Sequence, residues 1–579
     1  MNRPIGAACL AFVLAPSAVL ADDSASRTRY PAIVIGSGYG GSVAAFHLAR
    51  SGIRTLVLER GRQWTVTDPS SNATFATLDT VTAPGGDGRS TWLNTTCVGN
   101  SYLAFLGGVA CPRTTGILEQ IDDSPQTHRD ASPALRMNGV RGLVAAGVGG
   151  GSLVNNGVTF QPTKQGWDVA FPREELPFME DVWTDLRRKY FAQALTRLAP
   201  EPISADVLAS EYYRGTRLLA AFATAAGYPE ETPEDPSTLT FGQTSRVPVI
   251  VDWSKVRDEI AGTRVPAFIL GETYWGNNSG AKKSLDEPDG YLGRAVATGN
   301  VDLKPLHTVT AIAHDPKTGF FTVSVTHTDV AYNVLETLSF TSRHVFVAAG
   351  SLGTTKLLVR ARETGALPKL NDAVGTRWNT NGDLAHFRFV SPTFLPQGGP
   401  AGVKITDFRE AGNPVVLEQP SLRVPDAFAS IPSLQPFLGA VLMIGLGVPT
   451  GKGLFHYETS SDMVILDWPL DGAANVYNRV TSIFTDPAFP GTPLVLPMAQ
   501  SQQTTFHPLG GVPLGLATDT FCRVRGYRGL YVVDGALVPG AAAVTNPTLL
   551  ITALAERCMD HVVGDLVDEE HRRERAPNP

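Results

Sequence analysis

The strongest constraint on this chain is a glycine run that ends a short apolar segment. Residues 32–35 read Ala-Ile-Val-Ile and are followed by Gly36-x-Gly38-x-x-Gly41, with Tyr39 and Gly40 inside the run. Ser42 to Arg50 reads as a helix, and Thr55 to Leu58 as a second buried strand that ends on Glu59, eighteen residues beyond Gly41. This is a strand–helix–strand unit. In such a unit Gly36 permits a tight turn, and Gly38 lets the backbone approach a pyrophosphate. Gly41 allows the helix to pack closely on the strand, and Glu59 accepts hydrogen bonds from an adenosine ribose. The spacing alone is a weak signal; with both strands and the acid it predicts a bound dinucleotide. An acid at the strand end disfavours a 2′-phosphate, which leaves NAD or FAD.

The first residues favour FAD. Arg3 precedes an apolar stretch from Ile5 to Leu20, and Val19-Leu20-Ala21 places small side chains at −3 and −1 of a cleavage point before Asp22. Residues 1–21 therefore read as a signal peptide and the chain as secreted or periplasmic. The stretch is shorter than the ~20 apolar residues of a membrane anchor, and no later segment is long and apolar enough to span a bilayer. A soluble nicotinamide cofactor would be lost outside the cell, and 579 residues exceed what a simple nicotinamide dehydrogenase needs. The formal charge of −7 and the lack of a long basic run exclude nucleic acid as a partner. A small molecule is the expected partner.

Cleavage leaves four of the five cysteines. Cys97 and Cys111 lie in one loop region and are candidates for a short bridge; Cys522 and Cys558 flank the last strand and helix, where Cys558 reads as a buried free thiol. No CxxC or His/Cys cluster has metal-ligand spacing, so no metal is expected. Residues 65–95 read as a long surface loop. Apolar periodicity predicts a helix over 173–198 and another over 205–226 with Ser204 as its cap. Strands are expected at 301–303, 309–312, 320–326 and 344–349, then a sheet-rich insertion over 385–500. A last strand at 529–535, a helix from Pro547 to Val563 and a flexible tail over 566–579 complete the chain.

Several further runs carry a resemblance. They are Gly147-Val148-Gly149-Gly150-Gly151-Ser152-Leu153-Val154-Asn155, Tyr274-x-Gly276-Asn277-Asn278-x-Gly280, and Ala349-Gly350-Ser351-Leu352-Gly353. His507-Pro508-Leu509-Gly510-Gly511 and Asp534-Gly535 followed by Asn546-Pro547 complete the set. With Gly36–Gly41 and Glu59, in this order, they resemble the glucose–methanol–choline oxidoreductases, and within them the bacterial flavin-dependent cholesterol oxidases. The resemblance implies a mixed α/β and α+β fold. A Rossmann-like FAD-binding domain would be assembled from 29–160, 270–383 and 501–565, and a substrate domain with a mainly antiparallel sheet and helices from 161–269 and 384–500. It also implies that Gly147, Gly150, Gly151, Ser152, Asn155, Asn156, Gly157 and Val158 pass close to the flavin ring. Val301 would lie beside the adenine, and Gly350, Asp534, Gly535 and Pro547 would approach the remainder of the cofactor. No residue signals covalent attachment, so FAD is expected to be non-covalent.

Oxidising an alcohol requires that a hydride leave its carbinol carbon while a proton leaves its hydroxyl. His507, with an ordinary pKa near 6.5, suits the proton transfer. Asn546 stands where many relatives have a second histidine, and an amide can orient a hydroxyl but cannot act as base. Glu418, in Val415-Val416-Leu417-Glu418, is a carboxylate in an apolar strand, whose burial would raise its pKa. The resemblance gives it a proton-shuttling role that moves a steroid double bond from C5–C6 to C4–C5. The implied activity is oxidation of a sterol or similarly bulky apolar alcohol, with O₂ or another electron acceptor and transient contact with a membrane surface to extract substrate. A dehydrogenase that passes electrons from a non-sterol alcohol to a quinone or cytochrome is one alternative, and a non-catalytic flavin-binding protein another. Val158 where relatives carry Met, Gly511-Val512 where they carry Cys, and an altered covering loop over 91–136 set this chain apart from the cholesterol-oxidase pattern.

Overall fold

A computed structural model of the protein describes residues 28–64, 75, 118–122, 139–228, 243–331, 333–423, 438–469, 471–489, 491–494 and 502–574. The expected signal peptide, the Cys97/Cys111 pair and the loop over 91–136 lie outside these residues, apart from the strand Leu118–Asp122. Five parallel strands form the first layer, in the order Leu530–Val532, His344–Val347, Ala32–Ile35, Thr55–Leu58, Val301–Lys304. The inner strands are apolar runs buried on both faces, as a parallel sheet requires. The chain leaves Ala32–Ile35 to one side for Thr55–Leu58, while His344–Val347 lies on the other. Strand order therefore reverses between two neighbours, and the crevice at their carboxyl ends is where ligands bind in such sheets.

A second sheet has Thr28–Arg29, Val334–Ser342, Phe320–Thr328 and His307–Asp315 side by side. The strand Val334–Ser342 was not anticipated; its outer half is exposed, so the apolar run that marks a buried strand is missing. The third sheet is antiparallel, in the order Thr492–Leu494, Leu384–Phe389, Ala440–Gly447, Val415–Glu418, Val403–Asp407, Gln243–Arg246. Val415, Leu417, Val441 and Met443 point from it into a cluster with Leu219 and Phe222 of the helix Arg214–Ala225 and Val476 and Val480 of the helix Ala474–Phe484. Residues alternate across a strand, so Val416 and Glu418 face the opposite way. That opposite face looks onto the cavity described below.

Trp167, Phe171, Leu186 and Phe191 share a core cluster with Ile33 and Phe346, so the helical segment 164–198 packs on the parallel-sheet side rather than with the antiparallel sheet. Its long helix begins at Met179 rather than 173, because Pro177 lacks the N–H that an earlier start would use. The helix expected over 205–226 breaks at Ser210, which is extended, and Ser204 makes no capping hydrogen bond. Cys522 and Cys558, with Cα atoms 5.8 Å apart, form a disulfide, so Cys558 is not a free thiol. The helix geometry allows this because Cys522, at φ 69°, approaches from a tight turn outside the helix. The closing helix runs Thr548–Glu574, well past 563, since an established helix extends at little cost per residue. No helix among the described residues is long and apolar enough to cross a membrane.

That closing helix is tied to the first layer through Glu556, whose side chain is fully buried. Its carboxylate accepts from Tyr291 Oη at 2.6 Å, Gln193 Nε2 at 2.6 Å and Arg197, and pairs with His47 Nε2 at 2.7 Å. Four helices therefore meet at one charge. Burial pushes this carboxyl up, but hydrogen bonding and charge from His47, with Tyr291 and Arg197, outweigh it and hold it below its usual value. A depressed carboxyl pKa contributes stability above the unfolded-state value near 4.5, which is lost as the pH falls through the folded value. Glu556→Gln is expected to cost about 1–3 kcal/mol at neutral pH, because it removes the counter-charge of Arg197, whose partial exposure to water softens the loss. In thermal or urea unfolding of both proteins, the deficit should shrink below pH 4.5; an equal deficit at pH 3.5 and pH 7 would contradict it.

Candidate active site

One cavity of about 660 Å³ runs between the carboxyl ends of the parallel strands and the open face of the antiparallel sheet. On the parallel side its walls include Gly36, Ser37, Gly38, Tyr39, Gly40, Glu59 and Arg60, with Thr308 and Val309. On the antiparallel side they include Glu418, Leu442, Ile444 and Ala385, with Tyr274, Phe506, His507 and Asn546 closing the space.

The glycines divide into two kinds. A Cβ on Gly36 would stand 2.2 Å from the Ala348 carbonyl oxygen, one on Gly40 1.8 Å from that of Val533, and one on Gly41 2.0 Å from that of Gly36. These positions pack helix against strands. A Cβ on Gly151 or Gly350 would meet no atom within 4 Å, and one on Gly38 would meet only the Gly150 Cα at 4.0 Å. All three line the cavity, and their bare backbone forms a cradle that side chains would fill. Glu59 accepts from Ser37 N at 3.1 Å, Ser37 Oγ at 2.7 Å and Gly61 N at 2.8 Å, which fixes its carboxylate at the cavity wall. Asp534 accepts from Gly350 N and Ala536 N at 2.8 and 2.9 Å and also binds Thr354 Oγ1. Burial pushes its carboxyl up to about 6. The bare-backbone cradle, a helix that starts at Tyr39 with no capping side chain, and the anchored acid fit a dinucleotide with its pyrophosphate at the helix N-terminus.

The flavin-side residues are held by a network that the sequence left unread. Asn155 Nδ2 donates to Tyr39 Oη at 2.9 Å, and Gly157 N donates to Asn155 Oδ1 at 3.1 Å. Asn156 Nδ2 donates to Tyr274 Oη at 2.7 Å, and Thr273 Oγ1 donates to Asn156 Oδ1 at 2.9 Å. Lys282 is almost fully buried and donates to the carbonyls of Leu153, Asn155 and Thr273 at 3.0, 2.8 and 2.6 Å, stitching the glycine-rich segment to the Tyr274 segment. Burial pushes its ammonium down to about 7.

At the other end, the structure brings His507, Asn546 and Glu418 together. Asn546 Nδ2 donates to Glu418 Oε2 at 3.3 Å, while Glu418 Oε1 and Asn546 Oδ1 are buried with no protein partner. Two unpaired acceptors on a cavity wall await a donor. Burial pushes the Glu418 carboxyl up to about 7, against the opposing pull of His507, Asn546 and Lys404. His507 Nδ1 lies 2.7 Å from Asp383 Oδ1, in a side chain that is itself fully buried. Burial lowers the pKa of His507, but the charge and hydrogen bond of Asp383, with a smaller contribution from Glu418, raise it above the ordinary value. The carboxylate leaves Nε2 as the ring nitrogen available to the cavity.

Backbone strain holds this constellation. Ala543 and Val544, at φ 55° and 65°, precede Thr545-Asn546, and a β-branched residue is rare in that region. Asn381, at φ 58°, donates to Thr545 O at 3.0 Å and accepts from Ala542 N at 2.8 Å. The turn that ends at Asp383 is thereby locked to the segment that presents Asn546.

Four of the expected residues are not among those that line the cavity. Val301 pairs with Thr55 at the amino end of its strand, away from the carboxyl ends, and does not line the cavity; Val309 takes that place. Gly147 packs against Leu153 and Trp64, Gly41 against the Gly36 backbone, and Ser152 bonds Gly149 O and Leu285 N. These last three shape the cavity from behind without lining it. The other expected residues, including Val158, Gly535 and Pro547, do line it.

Residues 470–555, which carry His507, Asp534 and Asn546, match the GMC oxidoreductase model, and residues 34–67 match an NAD(P)-binding Rossmann-like domain. A cholesterol oxidase of Acinetobacter baumannii is 22% identical over 95% of this chain and 97% of its own length. One of Mycobacterium tuberculosis is 25% identical over 92% and 90%. Residues 470–555 form a GMC oxidoreductase C-terminal domain. The fold of the chain is that of pyridoxine 4-oxidase from Mesorbium loti, with a TM-score of 0.59 at 14% identity over 92% of this chain and 99% of that one. A fungal aryl-alcohol oxidase superposes with a TM-score of 0.56 at 14% identity over 93% and 100%. The GMC family binds FAD, and the cradle, the anchored Glu59 and the Asn155–Gly157 segment are the parts of this oxidoreductase that would hold it.

Proposed function

We propose that the protein is a secreted oxidase that converts a hydroxyl on a sterol or similarly bulky apolar alcohol to the ketone, with non-covalent FAD and with O₂ reduced to H₂O₂. The observation that carries this reading is that His507, Asn546 and Glu418 line one cavity together with the apolar side chains of Val158, Leu442, Ile444 and Phe506. Bound FAD supplies the hydride acceptor. His507 Nε2 takes the hydroxyl proton, and Asn546 orients the oxygen through its amide. The apolar walls exclude water and hold the carbinol in place, an effect worth several kcal/mol of the barrier. Glu418, when ionised, then takes a proton from C4 of an unsaturated steroid ketone and returns it at C6, giving the conjugated isomer. A sterol of this kind is drawn from a membrane by transient surface contact. Secretion is supported by the Cys522–Cys558 disulfide, which persists in oxidising compartments.

The test is anaerobic mixing of the purified flavoprotein with cholesterol, other sterols, aromatic alcohols and long-chain aliphatic alcohols, followed by readmission of O₂. Loss of the oxidised-flavin absorbance with a sterol, and peroxide on reoxidation, are expected. Bleaching by a non-sterol alone would overturn the substrate, and reoxidation without peroxide would overturn the acceptor. Acid precipitation should release the flavin into the supernatant; flavin that stays with the protein would mean a covalent bond.

A further inference from the structure

We propose that Asp383 is the positioning residue that makes His507 a base, by holding the imidazole in its Nδ1–H tautomer and so directing the Nε2 lone pair into the cavity. The proposal deepens the reading of His507 given above and rests on it. Asp383 lies 124 residues from His507 and reaches it at the start of the strand Leu384–Phe389. Its two oxygens do different work. Oδ1 faces His507 Nδ1 at 2.7 Å. Oδ2 accepts from the backbone N–H groups of Phe506 and His507 at 2.7 and 3.0 Å, and from Thr505 Oγ1 at 3.1 Å. An ionised carboxylate has no proton to give, so the neutral imidazole must carry its hydrogen on Nδ1. The same carboxylate fixes the backbone of the histidine and the orientation of its ring.

This division of labour predicts what an amide would do there. In Asp383→Asn the oxygen of the amide must sit where Oδ2 was, because the backbone N–H groups of Phe506 and His507 both point at that position. The NH₂ group then faces His507 Nδ1 and needs an acceptor. The histidine is driven into the Nε2–H tautomer, and its lone pair leaves the cavity. Shape is kept while the base is lost. The groups facing His507 from the surrounding elements are Asp383, Glu418 with Lys404 opposite it in the strand register, and Tyr274, which stacks on Phe506 with ring centroids 6.5 Å apart. Arg423, paired with Glu272, lines the same cavity. Of these, Asp383 alone is hydrogen-bonded to the His507 ring by a described contact.

The experiment uses the FAD-loaded full chain and its D383N and D383E variants. Nitrogen-15 NMR of histidine-labelled protein, with H507Q to assign the resonance, reads the tautomer and titration of His507 without any substrate. The parent should show Nδ1–H; D383N should show Nε2–H and titrate at lower pH, and D383E should restore the parent pattern. In kinetics with cholesterol, D383N should lose about 100-fold or more in kcat with KM little changed, its residual acid limb displaced to lower pH. Its melting temperature and flavin absorbance should stay close to the parent's. A parent Nε2–H tautomer, or a D383N histidine that keeps the parent tautomer and titration, overturns the proposal whether or not cholesterol is a substrate. Failure to oxidise cholesterol with the predicted tautomers intact would overturn the substrate reading and leave Asp383 in its role. If D383N does not fold, the parent tautomer and the D383E titration decide the question.

Discussion

Replacing His507 with alanine is expected to lower kcat/KM for the oxidised alcohol by a factor on the order of 10²–10⁴, the usual contribution of a positioned general base. The magnitude follows from the lack of a good substitute nearby. Asn546 can donate or accept hydrogen bonds but cannot take up a proton at neutral pH. Glu418 is the remaining proton acceptor on that wall, and its carboxyl, pushed up to about 7, is hydrogen-bonded by Asn546. Residual turnover in His507→Ala should therefore follow the ionisation of Glu418 and rise with pH above about 7, because the variant lacks the His507 charge that pulls this carboxyl down. In the parent, the base form of His507 appears only above its raised pKa, so the acid limb of kcat/KM should lie above pH 6.5. His507 belongs to the antiparallel side of the cavity, whereas the glycine cradle and Glu59 belong to the other, so flavin occupancy should be unchanged. Stopped-flow reduction and the flavin spectrum measure the two separately. An alanine variant that turns over normally would remove His507 from the mechanism.

What the sequence made legible was local. Gly36, Gly38 and Gly41 act through neighbours that the motif itself specifies, and the alternation Val415-Val416-Leu417-Glu418 already places the carboxylate opposite Leu417, which enters the core. What it hid was set by partners far along the chain. Asp383 follows an Asn-Gly turn and looks like any acid at the start of a strand; only the pairing of Thr376–Asn379 with Leu509–Gly511, more than a hundred residues away, brings it to His507. Lys282 was passed over because a lysine in a polar run reads as solvated, yet three carbonyls from two segments converge on it. Val301 is a different case. A strand can be recognised from its apolar residues, but which of its ends meets a ligand depends on the direction of its neighbours. In this parallel sheet the carboxyl ends face the cofactor cradle, which favours Val309 over Val301. The disulfide at Cys558 was missed because helical periodicity says nothing about a turn approaching from outside the helix.

Glu418→Gln should separate the two halves of the proposed reaction. Glutamine keeps the volume and still accepts from Asn546 Nδ2, so a sterol should bind and be oxidised through His507. It cannot take a proton from C4, and isomerisation should fall by a factor on the order of 10² or more. The unconjugated ketone would then accumulate, resolved from the conjugated isomer by chromatography and by the latter's ultraviolet absorbance. The parent should approach the same behaviour as the pH falls below about 7, because protonation fills the oxygen that must act as base. Stability gives an independent readout with a definite sign. A carboxyl whose folded pKa is raised from 4.5 to about 7 binds its proton more tightly in the fold, so the parent loses stability as the pH climbs between those values. The glutamine variant lacks that slope and should equal or exceed the parent in melting temperature at pH 8, with Lys404, its cross-strand neighbour, moderating the gain. A functional carboxylate buried against its own ionisation carries this signature, whereas a solvent-facing one would leave both the product ratio and the pH dependence of stability unchanged.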